Sequence, residues 1–294
     1  KVHATTVTAG DCEMRSLKFP LLLRLPLRLY NGLRKPKRIT ILGQELAGEI
    51  EDVGKDSKLF KQGDPVFAAT DIRFGAYAQY ICLSEEGEGV LARMPANMSY
   101  EEATTIPVGG LNALHFLRKG NIQRGQKVLI NGAGGSIGTI AIQLAKYLGA
   151  DVTAVDSTHK LAMLRSIGAD HVVDYTQEDF TKNGEIYDVI FDVIGTLPFS
   201  PCDQSLHENG TYITANPRML QVFCGLWTRL TSSKKVIMQT ACGTINDLIT
   251  FRELIEAGQI KTVIDRCYPL EQIAEAHRYV EQGGKLGKVL ISVE

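Results

Sequence analysis

The chain has 294 residues, with 32 Lys and Arg against 33 Asp and Glu, 44% hydrophobic residues, 28 Gly, 10 Pro and 6 Cys. A net charge of −1 supplies no overall positive field for nucleic acid, and the apolar content excludes disordered and fibrous classes. At roughly 100–200 residues per domain, the length suggests about two soluble globular domains acting on small molecules.

The cysteines at 12, 82, 202, 224, 242 and 267 lie far apart with no C-x-x-C pair, which points to reduced thiols in a cytoplasmic protein. No apolar run is long enough to span a membrane, and Lys1-Val2-His3-Ala4 lacks the layout of a secretory signal. The chain opens without Met on what reads as a strand under way, so an N-terminal segment is expected to be missing from this numbering.

Residues 16–38 follow, apolar and basic together, with leucines at 17, 21–23, 25, 27, 29 and 33 among prolines at 20, 26 and 36 and cations at Lys18, Arg24, Arg28, Arg34, Lys35, Lys37 and Arg38. Three readings stand: a lid whose leucines line a substrate pocket, a membrane-surface segment, or an excursion that tucks its leucines into the core. The prolines argue against one long helix.

From Gly43 to Ser84 short apolar runs are broken by Gly and Asp: Glu45–Ile50, Asp64–Phe67 and Gly75–Ile81 read as short strands of a small β-barrel. A boundary follows near Pro95, where Ser99 and Glu102 form a capping box opening a helical stretch that Pro107 interrupts. From Lys127 onward strands are predicted at Lys127–Asn131, Asp151–Asp156, His171–Asp174, Asp188–Val193, Thr211–Ala215 and Val236–Thr240, with helices between most of them. That alternation predicts an α/β, doubly wound parallel sheet. A helix over Leu270–Glu281 and a strand over Lys288–Val293 close the chain.

Val128-Leu129-Ile130-Asn131-Gly132-Ala133-Gly134-Gly135-Ser136-Ile137-Gly138 is a strand, a glycine-rich turn and the start of a helix. The glycines allow a sharp turn, close approach of backbone N–H groups to a pyrophosphate, and tight helix–strand packing. A second strand ends on an acid, Asp156, 24 residues after Gly132, which completes a dinucleotide-binding pattern. Asp156 suits an adenosine ribose 2′-hydroxyl and so NADH, whereas Ser157, Thr158 and Lys160 offer donors and positive charge to the 2′-phosphate of NADPH.

With these residues the chain resembles the medium-chain dehydrogenase/reductase superfamily, in its zinc-free, zeta-crystallin-like quinone oxidoreductase branch. The resemblance covers essentially the whole chain. It rests on Gly43-Gln44-Glu45-Leu46-Ala47-Gly48-Glu49-Ile50 with Val53-Gly54, on Gly63-Asp64-Pro65-Val66 and Gly75-Ala76-Tyr77-Ala78, on Ile106 to Ala113, and on the glycine turn. Leu148-Gly149-Ala150, Gly168-Ala169-Asp170 and Gly287-Lys288-Val289 complete it. It implies a GroES-like β-barrel catalytic domain over 1–98, lacking the family's N-terminal hairpin, a Rossmann dinucleotide-binding domain over 99–258, and a return segment, 259–294, completing the first domain. A nicotinamide site in the cleft between the domains and a homodimer are also implied.

Zinc-containing relatives place Cys, His and Cys at the positions of Thr8, Gln44 and about Val108, none of which ligates zinc here, and their cysteine-rich structural-zinc lobe is missing. The resemblance therefore implies a zinc-independent reductase using NADPH, with NADH the alternative, on a quinone or α,β-unsaturated carbonyl. Lys160 and Tyr175, 15 residues apart, match the family's contacts to the adenosine end of NADPH. Gly134, Gly135, Ser136 and Ile137 match its diphosphate contacts, and Gly195 and Asn216 its nicotinamide side. Lys288 is a further cofactor candidate. For catalysis the family's Asn and acid three residues later correspond to Thr8 and Asp11, and Asn112 stands where relatives have Thr near the nicotinamide. Asp11 is alternatively a turn acid paired with Arg15 or Lys18. Competing readings are a cofactor-binding regulatory protein with little turnover and an alcohol dehydrogenase-like enzyme.

Overall fold

The computed structural model describes residues 1–17, 21–34, 37–85, 87, 89–217, 221 and 232–293. Two compact units emerge: Lys1–Val108 with Gly243–Gly258 and Thr262–Glu294, and Gly109–Cys242 with Gln259–Lys261.

The first unit is built on one sheet. Its strands are β1 (Val2–Val7), β2 (Glu45–Glu49), β3 (Pro65–Ala69), β4 (Val90–Arg93), β11 (Ile264–Pro269) and β12 (Lys288–Ser292), in the order β11-β12-β1-β2-β3-β4. β1 is rich in β-branched residues and pairs antiparallel with both β2 and β12, so both ends of the chain meet in one sheet. Val2, Val7, Leu46, Val66, Val289 and Ile291 supply its buried core, each worth about 1.5–3 kcal/mol when fully buried. Around it lie helices α1 (Ala9–Ser16), α2 (Leu21–Asn31), α3 (Tyr100–Ala103), α8 (Ile245–Glu256) and α9 (Ile273–Gln282). Cys12 on α1 packs into this core, with Sγ 3.5 Å from Nδ1 of the buried His277 on α9. Burial pushes the thiol up to about 12 and the imidazole down to about 4, so the pair is neutral at pH 7.

Two expectations change here. Gly75–Ile81 forms bends, not a strand: Gly75 has φ +104°, and the N–H groups of Gly75, Ala76 and Tyr77 donate back to Leu42 and Gly43 carbonyls. The expected boundaries at 98/99 and 258/259 also shift. Residues 99–108 and 243–258 belong to the first unit, because α3 packs on β1 and β2 and α8 packs on β4. Glu256 accepts the Ala96 N–H at 3.0 Å, and the Asn97 side chain donates to the Ile255 carbonyl at 3.1 Å.

The second unit carries β5 (Lys127–Asn131), β6 (Asp151–Asp156), β7 (His171–Asp174), β8 (Tyr187–Asp192), β9 (Leu206–Thr214) and β10 (Lys235–Met238), all parallel, in the order β10-β9-β8-β5-β6-β7. All six expected strands are present, within a few residues of their expected bounds. This is the doubly wound order, with its switch point between β5 and β8. α5 (Gly138–Tyr147), α6 (Leu161–Ser166) and α7 (Phe199–Gln204) alternate with the strands, and α4 (Pro107–Gly120) leads into them. Leu129, Val155, Ile190, Tyr212 and Cys202 belong to one buried cluster, and burial pushes the Cys202 thiol up to about 12.

Candidate functional site

In a doubly wound sheet, ligands bind outside the carboxyl ends of the strands at the switch point. The glycine turn lies there, between β5 and α5. Gly132 has φ +77°, a conformation that a side chain resists, and its N–H donates to the Val155 carbonyl of β6 at 3.1 Å. A Cβ on Gly138 would meet the Gly132 carbonyl at 2.5 Å, so that glycine lets the helix start against the turn. Gly135 is different: a Cβ there would meet only the Gly132 carbonyl, at 3.5 Å. Its outer side is open, as a cradle for an anion requires.

Asp156 and Lys160 sit directly over the turn. The buried Asp156 carboxylate accepts the Gly134 N–H at 2.8 Å and the Ser157 N–H at 2.9 Å, and pairs with Lys160 Nζ at 2.9 Å. A Cβ on Gly134 would come within 2.5 Å of Lys160 Cδ, which is why this lysine needs glycine beneath it. At the carboxyl ends of β5, β6 and β7 a cavity of about 390 Å³ is lined by Asn131, Val155, Tyr175, Thr176, Phe180 and Leu197. Tyr175, expected at the adenosine end, is therefore a wall residue of this cavity.

Gly195 and Asn216 are also brought together. A Cβ on Gly195, φ +76°, would fall 1.8 Å from the Asn216 carbonyl, and the Asn216 amide donates to the Val193 carbonyl at 2.9 Å. The residue that organises this loop, Asp192, is not singled out by the sequence pattern. Fully buried at the end of β8, it accepts from the Asn131 amide and Gly195 N–H at 2.9 Å, the Tyr212 hydroxyl at 3.0 Å and the Leu197 N–H at 3.1 Å. It thereby ties the loop after β8 to the strand that feeds the glycine turn. The available signal was an acid closing a buried strand, the same position that Asp156 occupies in β6. Ser136 and Ile137 complete the turn, and Asn112 lies half-buried on α4.

Thr8 and Asp11 come together in the first unit. Their spacing of three is that of a capping box, and the box is formed: Asp11 N–H donates to Thr8 Oγ1 at 3.1 Å while Thr8 N–H donates to Asp11 Oδ2 at 2.8 Å. Two features separate it from the ordinary boxes at Ser99–Glu102 and Thr244–Asp247. Asp11 is completely buried, accepting also from the Gly43 N–H at 2.9 Å, and burial raises its carboxyl pKa. Thr8 Oγ1 is in addition 2.8 Å from Gln44 Oε1 and 2.6 Å from Asp11 Oδ2. One hydroxyl proton faces two oxygens, so Thr8 Oγ1 is shared between the Asp11 carboxyl and the Gln44 amide. The alternative pairing of Asp11 with Arg15 is not formed; Arg15 pairs with Glu281 at 2.6 Å. Lys18 lies outside the described residues.

Lys288 is placed in the first unit, buried, with its Nζ against the fully buried Glu45 carboxylate. Glu45 also accepts from the Thr6 hydroxyl and, at 2.8 Å, from the Val108 N–H. The Lys288 charge is therefore engaged by Glu45 rather than offered to a cofactor. This pairing spans 243 residues, and no local pattern announces it.

The sheet order, the glycine turn and the acid over it define a two-unit dehydrogenase. Residues 1–96 match the family model of the alcohol dehydrogenase GroES-like domain, and residues 167–291 that of the zinc-binding dehydrogenases. The human mitochondrial NAD(P)H oxidoreductase RTN4IP1 is 31% identical over 324 residues, covering 100% of this chain and 81% of that protein. An NADPH-dependent alkenal/one oxidoreductase of Arabidopsis thaliana chloroplasts is 31% identical over 86% of this chain and 64% of that protein. The structure of the quinone oxidoreductase from Coxiella burnetii superposes with a TM-score of 0.87 at 25% identity, covering 100% of this chain and 89% of that one. The chain belongs to the medium-chain dehydrogenase/reductase superfamily, in its quinone oxidoreductase branch.

A zinc-binding family model calls for a test of the donors. Thr8 and Gln44 bond to one another, Val108 offers an apolar side chain, and no group of three His, Cys, Asp or Glu among the described residues is placed to hold a metal. This donor set does not fit Zn²⁺. The glycine turn, by contrast, fits a dinucleotide, since Gly135 leaves its outer face open.

Proposed function

We propose that the protein is an NADPH-dependent, zinc-independent reductase that passes a hydride to a quinone or an α,β-unsaturated carbonyl. The observation that carries this reading is the glycine turn, open at Gly135, with the Asp156–Lys160 pair packed over Gly134 and a cavity walled by Asn131, Val155 and Tyr175 at the ends of β5 to β7. The relatives' names, an NAD(P)H oxidoreductase, an NADPH-dependent alkenal/one oxidoreductase and a quinone oxidoreductase, support it. When bound, the nicotinamide supplies the hydride. The backbone of Gly134 to Ile137 binds the diphosphate, and Lys160, Ser157 and Tyr175 meet the adenosine end. Thr8 exchanges its hydrogen bond to Gln44 for one to the substrate carbonyl, and Asp11 holds Thr8 in place through the capping box. Catalysis is then chiefly positioning.

Titration of NADPH and NADH by fluorescence, followed by absorbance of the reduced nicotinamide with 1,4-benzoquinone or a simple enone, tests the reading. NADPH oxidation dependent on either acceptor is the expected result. Saturable cofactor binding with no oxidation by either class would replace it with a regulatory cofactor-binding role.

A further inference from the structure

We propose that α2 and the segment after it form a docking surface for an anionic lipid bilayer. Between Met14 and Gln44 the chain has eight basic residues and no acidic one. The whole chain has a net charge of −1, so the remainder carries −9 and this cationic block is strongly set apart.

Apolar side chains lie on the surface of the same segment. Leu25 and Leu29, one turn apart on α2, are 64% and 65% exposed, and Leu33 just beyond the helix is 60% exposed. Of the three readings of this segment, a tucked excursion does not describe these leucines. The other side of the helix is pinned. Arg28 Nε donates to the Leu17 carbonyl at 3.2 Å, and the buried Asn31 accepts the Ile39 N–H on its side chain at 2.8 Å and the Lys37 N–H on its carbonyl at 2.6 Å. On a helical projection Leu25 and Leu29 lie about 40° apart and both point more than about 100° away from the buried Asn31. The exposed arc is therefore held outward by the fold.

Arg38 stacks over the ring of Tyr30, 4.2 Å from its centroid, while Arg34 and Lys37 are exposed close by. Cations beside leucines and an aromatic ring are the composition of a segment that rests in a headgroup layer, with apolar side chains in the acyl boundary and cations among the phosphates. A nucleic acid would use the charge but leave the leucines in water, which favours lipid over it. No helix among the described residues is long and apolar enough to cross a membrane, so the contact is peripheral.

Flotation of the whole chain with phosphatidylcholine vesicles, with and without phosphatidylglycerol, tests this. The protein should float with the anionic vesicles and remain at the bottom with the neutral ones, and rising salt should release it. Replacing Arg34 and Arg38 by Glu should weaken partitioning by at least about tenfold, given ~1 kcal/mol for each basic residue near an anionic surface. Leu25→Asp with Leu29→Asp should weaken it by a similar factor, about tenfold. Leu25→Ala with Leu29→Ala serves as the gentler pair, and far-ultraviolet dichroism with cofactor binding confirms that each variant folds. Failure to float on anionic vesicles overturns the proposal, as does flotation insensitive to both leucine pairs. Binding to a single-stranded oligonucleotide without flotation would reassign the patch to nucleic acid. Self-association abolished by the leucine variants, without flotation, would reassign it to a second copy of the chain.

Discussion

Each unit contains a carboxylate and a lysine held together out of water, and the two pairs behave differently. Glu45–Lys288 is sealed, its side chains 0% and 3% exposed, and it ties β1, β2, β12 and the Val108 backbone. Asp156–Lys160 lies over the glycine turn, with the carboxylate also holding the Gly134 N–H of that turn. The same ionic chemistry is scaffolding when every donor around it comes from the fold, and recognition when one side opens to a ligand. A sealed pair should govern stability, an open one selectivity.

The largest effect should come from the sealed pair. Lys288→Met leaves a buried, uncompensated carboxylate and should cost about 3–5 kcal/mol in urea unfolding, while the double variant with Glu45→Gln should recover most of it. A small loss from the single variant would break the contrast. A second sealed group in that unit, His277, should set its acid sensitivity. Held neutral in the fold with a pKa near 4, it takes up a proton near 6.5 once unfolded, so stability present above pH 6.5 falls as pH drops toward 4, by up to about 3 kcal/mol. Thermal melts across that range should flatten in His277→Gln.

At the open pair, effects should appear in binding. Gly135→Ala has room for its methyl inside the fold but covers the outer face of the turn, so cofactor Kd should rise about tenfold, ~1.4 kcal/mol, with the melting temperature unchanged. Asp156→Asn removes the charge that neutralises Lys160 and should raise the preference for NADPH over NADH by up to about tenfold, read from the ratio of the two dissociation constants. Equal effects on both cofactors would make Asp156 a structural acid like Glu45.

The second unit was the more legible in sequence, for a physical reason. Strands buried on both faces of a parallel sheet read as unbroken apolar runs, as in Val128-Leu129-Ile130, and the glycine turn is local. The first unit hides its logic in long-range pairings. β11, Ile-Asp-Arg-Cys-Tyr-Pro, is half exposed and charged, and gives no strand signal until β12 lies beside it. Gly75–Ile81 has a strand's alternation, but its donors are taken by Leu42 and Gly43. Lys288 is one lysine among many until the fold brings Glu45 to it, and the Thr8–Asp11 spacing serves a helix cap and a substrate site equally well. Only Gln44 and the burial of Asp11 distinguish that cap from the two others.

The neutral Cys12 and the buried Cys202 carry one more consequence. Thiolate is the species that alkylating reagents attack, and burial raises both thiols to about 12, so each is shielded chemically as well as sterically until its surroundings open. One belongs to each unit. The labelling rates of these two cysteines, followed by mass spectrometry in the native protein, are thus two separate clocks for local opening, and they would show which unit breathes first.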